Sequence, residues 1–285
     1  MYEAGSITGN AGNAMSPDSV TSTISRSYNV YSKSTHAFLR SYTLNVNQSS
    51  NSNGTAGTMN VIGTDNRIID WNNSGTVKIQ IGLSGWGTGF VVNEHTIATA
   101  AHVVYDTAGN YVPDILSVKV FDSNHNPVTV TPVEVHVPTD YVNATEHDRQ
   151  FDYALITIED DLSDYMSYNF GAVTNDAATD HIALATVGFP GYVNGVHVNN
   201  ASSDHMQYIS TGSVTSLDSK NIFYNADTSG GNSGGPIYAV EYLNGHEYHT
   251  VVGIHSGGYD LSNNAGVRID SSILKCLVAN PNLIY

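Results

Sequence analysis

Late in the chain, Thr228-Ser229-Gly230-Gly231-Asn232-Ser233-Gly234-Gly235-Pro236 sets one serine between two pairs of glycines. Glycine backbone reaches positive φ and lets a bound molecule approach closely. Such a turn aims the amides of Gly231 and Ser233 at one point, as an oxyanion hole requires. A serine hydroxyl becomes a useful nucleophile only beside a base that takes its proton. Among 12 histidines, His102 stands out because it closes Ile97-Ala98-Thr99-Ala100-Ala101-His102, a strand ending in small residues that leave an imidazole room. The base in turn needs a carboxylate to orient it. Asp152 stands directly before the apolar run Tyr153-Ala154-Leu155-Ile156. An unpaired charge is expensive to bury there, and a histidine N–H is its natural partner. Ser233, His102 and Asp152 together describe nucleophilic acyl transfer through a covalent intermediate.

Elements must hold these residues together from distant parts of the chain. Val77-Lys78-Ile79-Gln80-Ile81 alternates strictly, and Gly89 to Val92, Asn93-Glu94 and His95 to Ala100 read as a hairpin. Leu116 to Phe121, Val128 to Val137 and Tyr153 to Ile158 read as further strands. A second set runs through Ile182 to Val187, His205 to Thr211, Gly212 to Leu217, Pro236 to Tyr242 and, after an Asn244-Gly245 turn, Tyr248 to His255. Short strands at this spacing indicate an all-β barrel or sandwich. The two sets suggest two barrels, about 77–170 and 171–269, in one catalytic unit. One helix is expected at about 271–279, capped by Asp270 or Ser271, with Ile273, Leu274, Leu277 and Val278 on one face and Pro281 beyond its end. Residues 1–60 differ. Ser41 to Asn60 carries no charge and is dominated by Asn, Ser, Gly and Thr, so the segment reads as flexible.

Composition narrows the chemistry further. The chain has 285 residues and a formal charge of −16. That charge argues against nucleic acid and anionic membranes as partners, since both need basic patches. No apolar run is long enough for a membrane-spanning helix. The single cysteine, Cys276, excludes an internal disulfide and a cysteine-based zinc cluster. His246-Glu247-Tyr248-His249 lacks the helical HExxH spacing and follows a turn, so it reads as a hairpin rather than a metal site. Asp160-Asp161 with Asp164 reads as a solvated turn rather than a calcium site. Neither a cofactor nor a metal is expected. Few charges with many Ser, Asn, Thr and Gly suit a secreted protein, although Met1-Tyr2-Glu3-Ala4-Gly5 has no signal-peptide character.

In that order, His102, Asp152 and Ser233 resemble the triad of the chymotrypsin-like serine proteases. Gly85-Trp86-Gly87-Thr88-Gly89-Phe90-Val91-Val92, Val187-Gly188-Phe189-Pro190-Gly191 and Val252-Gly253-Ile254-His255-Ser256-Gly257-Gly258 bring the resemblance closer to the bacterial glutamyl endopeptidases. It spans about Val61 to Asn280. The resemblance implies two six-stranded antiparallel β-barrels of the chymotrypsin/trypsin-like fold, with His102, Asp152 and Ser233 catalytic and Gly231 and Ser233 as the oxyanion hole. It implies cleavage after Glu, less well after Asp, in protein or peptide substrates, with Thr228 and His255 in the pocket. Ser256 replaces a tryptophan frequent in that family, which bears on the width of the pocket. Val61-Ile62-Gly63-Thr64-Asp65-Asn66-Arg67 resembles the family's mature N-terminus, freed when an activating protease cuts at Asn60-Val61. Residues 1–60 would then be a propeptide, 61–285 the protease domain, and the Val61 amine part of the substrate pocket. Asn232 precludes the ion pair that digestive relatives make with the new terminus. A monomer is expected. A different or very narrow specificity, or a catalytically weak surface-binding module on the same fold, is the alternative.

Overall fold

The computed structural model describes residues 3–10, 23–32 and 38–47 as backbone, and 61–71, 75–105, 115–143, 149–165, 168–173, 182–243, 246–270, 273, 274 and 277. Three strands lie at the N-terminal end: β1 (Glu3–Asn10), β2 (Thr23–Ser32) and β3 (Phe38–Asn47). The two-residue β4 (Ile68–Ile69) follows. The next part of the chain contributes β5 (Thr76–Ile81), β6 (Gly85–Asn93), β7 (Thr96–Thr99), β8 (Ile115–Phe121), β9 (Pro127–Val130), β10 (Pro132–His136) and β11 (Ala154–Ile158). The remainder supplies β12 (Tyr168–Val173), β13 (Ala183–Gly188), β14 (Tyr192–Val193), β15 (Val196–His197), β16 (Tyr208–Leu217), β17 (Asn221–Tyr224), β18 (Pro236–Leu243), β19 (His246–Gly258) and β20 (Asn264–Arg268).

The fold is all-β and chymotrypsin-like, with two halves built from successive stretches of chain. In the first half, seven strands pair in the order β10-β11-β7-β6-β5-β8-β9. In the second, β18-β13-β16-β17-β20-β19 runs as six strands, and β18 pairs back onto β19 to close the barrel. Closure removes the edges of that sheet, where unpaired backbone would otherwise invite other chains. The Val128–Val137 run divides into β9 and β10 ahead of Pro132, which cannot donate to a ladder. The runs at 205–211 and 212–217 instead join as the single strand β16. Gly212 does not break it, because its bareness admits the Ala226 backbone, within 2.4 Å of where a Cβ would stand.

The first sixty residues, expected as flexible, carry β1–β3 in their described parts. β2 and β3 are antiparallel and set Ile24 opposite Val46 and Tyr28 opposite Tyr42. β1 pairs with β2 and lies parallel to β12, with Ala4 opposite Phe170. The apolar residues of Tyr42-Thr43-Leu44-Asn45-Val46 recur every second position, which is a strand period. The polar residues between them mask it in the composition. Residues 48–60, including Asn60 of the expected cleavage point, lie outside the described residues. At the other end, Asp270 caps as expected: its Oδ1 accepts the Ile273 amide at 2.9 Å, and Ile273 and Leu277 are buried. Ser271 and the rest of the expected helix fall outside the described residues apart from Leu274.

The two halves share a core. Phe90 of β6 is fully buried, with ring centroids 5.9 Å from Tyr168 and 6.1 Å from Phe170 on β12. The Tyr168 hydroxyl returns to β5, where it meets Thr76 Oγ1 at 2.7 Å. Removing the Phe90 ring leaves a cavity between the halves. Phe90→Ala is therefore expected to lose about 3–5 kcal/mol of stability, read as a lower midpoint in urea denaturation. A midpoint within error of wild type would show that Phe90 does not join them.

Candidate active site

The strand β7 ends at Thr99, and the chain turns through Ala100 into α1 (Ala101–Val104), a single turn that carries His102. Ala101, Val103 and Val104 are buried, so the turn is anchored on both sides of the histidine while His102 itself stays half-buried. Asp152 follows a one-turn helix, Arg149–Phe151, and precedes β11. Its side chain is wholly buried and satisfied by three donors: the His102 amide at 2.9 Å, His102 Nδ1 at 2.8 Å, and the Ser256 hydroxyl. With Nδ1–H committed to the carboxylate, Nε2 is the basic nitrogen of the neutral His102 ring, the one that can take up a proton. Burial works against a charged His102, yet the Asp152 charge and hydrogen bond outweigh it and raise the pKa.

The Ser233 loop is tied to the same region. The Ser233 carbonyl accepts the Thr88 amide at 2.8 Å, and Thr88 Oγ1 donates to the Gly231 carbonyl at 2.7 Å. Asn232 braces the turn by accepting the Ser229 amide on Oδ1 at 3.1 Å. The next residue, Gly234, has φ +84° and lies so close to the strand before His102 that a Cβ would stand 2.1 Å from Thr99 Oγ1 and 2.2 Å from the Thr88 carbonyl. Ser233 is thus set beside the His102 turn by contacts on the residue after it. Gly231 has φ +101°. Its amide and that of Ser233 donate to no other described residue.

Behind the loop lies a buried polar corner. Thr228 is fully buried, and its Oγ1 has no partner among the described residues. His255 is buried on β19, exchanges backbone hydrogen bonds with Gly234 and Gly235, and meets the Tyr224 hydroxyl through Nδ1 at 2.6 Å. Burial first, then the His102 and Arg149 charges, pull its pKa down to about 3, so it is neutral at physiological pH. Asp227, next to Thr228, is buried too; its two oxygens accept the Ile62 amide at 2.6 Å and the Asn66 amide at 2.8 Å. Val61, one residue before Ile62, is half-buried. Ser256, where the resemblance would place a tryptophan, is buried and donates its hydroxyl to Asp152.

The chain matches the trypsin-like peptidase domain family over residues 87–244. It belongs to that family. Its fold resembles a solved Glu endopeptidase in complex with MPD, with 24% identity over 75% of this chain and 96% of that one and a TM-score of 0.60. It also resembles the thermostable serine protease AL20 from an extremophilic microorganism, with 17% identity over 70% of this chain and 92% of that one and a TM-score of 0.50. No curated protein sequence matches it.

This trypsin-like peptidase is a serine endopeptidase, and the candidate catalytic and pocket residues fall on two groups of segments. His102, Asp152 and the Ser233 loop form one; Thr228, His255 and the Val61 segment form the other. Sequence reasoning missed Asp227, Tyr224 and Arg149. Only Asp227 carried a signal, an acidic residue next to the predicted pocket threonine. In this peptidase the tightest constraint on the site is at Gly234. Gly234→Ala is expected to cost at least about 1–3 kcal/mol of backbone strain and to abolish activity, with the loss of stability measured by thermal denaturation. A fully stable variant would contradict the contacts with Thr88 and Thr99.

Proposed function

We propose that this peptidase cleaves polypeptides after an acidic residue, Glu better than Asp, by a triad of Ser233, His102 and Asp152. Ser233 Oγ attacks the scissile carbonyl while His102 Nε2 takes its proton. The amides of Gly231 and Ser233 receive the oxyanion. His102 then hands the proton to the departing amine, and water hydrolyses the acyl-enzyme by the same steps in reverse order. Asp152 holds the imidazole in the reactive tautomer and stabilises its charged form.

The observation that carries the acidic specificity is the unpartnered hydroxyl of buried Thr228, in the segment whose Gly234 and Gly235 are hydrogen-bonded to buried His255. A carboxylate entering that corner needs donors to offset its desolvation. Thr228 Oγ1 supplies one. If the Tyr224 hydroxyl donates to His255 Nδ1, the neutral ring presents Nε2–H as a second. Asp227 would repel such a ligand were its oxygens turned inward, but both are occupied by the Ile62 and Asn66 amides. Cutting before Val61 would place an ammonium one residue from that anchor, and so beside Thr228. We therefore infer a secreted zymogen in which residues 1–60 are a propeptide.

A peptide panel varying only the residue before the scissile bond tests this, using protein that begins at Val61 beside the full chain. Fastest cleavage after Glu is expected, weak in the full chain and reduced by about four to six orders of magnitude in Ser233→Ala. Thr228→Val should lower the preference for Glu over Gln by about tenfold or more, the scale of a hydrogen bond to a charged group. Cleavage after other residues would refute the pocket; binding without cleavage would point to a binding module on the same fold.

The base must be neutral to accept a proton, and Asp152 raises the His102 pKa. Activity is therefore expected to rise with pH through a midpoint above the ordinary histidine value of 6.5. A kcat/KM profile whose acid limb centres at or below that value would contradict the pairing.

A further inference from the structure

Arg149 is a half-buried cation for which the chemistry above has no use. It opens the helical turn that ends at Phe151, directly before Asp152. Its Nη2 donates to the Gly258 carbonyl at 3.0 Å, and its guanidinium lies 5.6 Å from the ring centroid of Tyr259, which is 57% exposed. Its Nε is buried with no partner among the described residues. Gly258 stands three residues beyond His255 on β19. The Arg149 charge is close enough to act on both His102 and His255.

The register of β19 shows what could reach this cation. On one side, β20 accompanies it to its end, with Gly257 opposite Ala265 and Gly258 opposite Asn264. On the other, β18 stops at Pro236, opposite Ile254, three residues after Ser233. Past the backbone bonds of His255 to Gly234 and Gly235, the stretch Ser256–Gly258 has no neighbouring strand on that side among the described residues. An extended peptide can add itself to such an edge. At about 3.3 Å per residue, the three steps from His255 to Gly258 span about 10 Å, which places Arg149 near a side chain two or three residues from the one in the pocket.

We propose that Arg149, braced by the Gly258 carbonyl and the Tyr259 ring, binds a second carboxylate of the substrate, an acidic side chain two or three residues before the scissile bond. A guanidinium recognises a carboxylate with paired, directional donors. It also gives local attraction to acidic peptides in a chain whose net charge is −16. The inference rests on the reading of Ser233 as nucleophile but not on the identity of the residue in the pocket.

The test is a set of peptides sharing one cleaved bond and differing only by Glu or Gln at each of the three positions preceding the residue cut. Each pair is compared within one enzyme preparation, so the ratio of kcat/KM values does not depend on how much enzyme is folded. Wild type is expected to prefer Glu by about tenfold or more at one of these positions. Arg149→Gln should bring that ratio near one, with Arg149→Lys intermediate. A ratio near one at all positions in wild type, or an undiminished ratio in Arg149→Gln, would overturn the proposal. Should Arg149→Gln prove inactive, the Arg149→Lys ratio decides: unchanged from wild type, it overturns the proposal. Absence of any Ser233-dependent cleavage would instead overturn the reading of the site, and the inference with it.

Discussion

A carboxylate with no exposure to water must be met on all sides or it will not stay ionised, and Asp152 sets that requirement at the middle of this molecule. Its donors come from both halves of the fold. The amide and Nδ1 of His102 belong to the first half, and the Ser256 hydroxyl to β19 of the second. The same group that orients the imidazole thus joins the halves. Shifting one half against the other would strip a donor from a buried charge, which is far costlier than losing an exposed hydrogen bond. Geometry at the imidazole and the packing of the halves are therefore one problem with one solution.

The Ser233 loop obeys the same logic from the other direction. It belongs to the second half by sequence, yet Thr88 of the first half holds two of its carbonyls, those of Gly231 and Ser233. Gly234 fits against Thr99 and Thr88 only because it has no side chain, and its amide reaches back to the His255 carbonyl. With the loop carbonyls occupied by partners, the amides of Gly231 and Ser233 remain as unspent donors. Donors left over in this way are what an oxyanion site requires.

Much of this was legible in the sequence because the chemistry is concentrated in short motifs. The glycine pairs around Ser233, the small residues before His102 and the apolar run after Asp152 each carry their own physical reason. Strands with clear alternation, such as β5, were equally plain. β12 and β17 were not, since Tyr168–Val173 is broken by Asn169 and Gly171 and Asn221–Tyr224 is only four residues long. The N-terminal strands were hidden by composition, which averages away a two-residue period. Arg149 and Tyr224 could not have been found at all. Nothing near them in sequence marks them, and their meaning comes from Gly258 and His255, more than a hundred and about thirty residues away.

Charge ties these parts together. A chain carrying −16 gains nothing at long range when its ligand is also acidic, so any preference must be built within a few ångströms. For an acidic ligand a charged His255 is the direct solution, but a buried imidazolium is itself expensive, and the neighbouring His102 and Arg149 make it more so. Neutral donors avoid that conflict. On the proposed reading, Thr228 and a neutral His255 hydrogen-bond a carboxylate without any buried positive charge. On the same reading the cation is Arg149, whose partial exposure lowers its desolvation cost. Recognition on the proposed reading divides between an uncharged interior and a charged edge, with both Asp227 oxygens occupied by backbone amides from the Val61 segment.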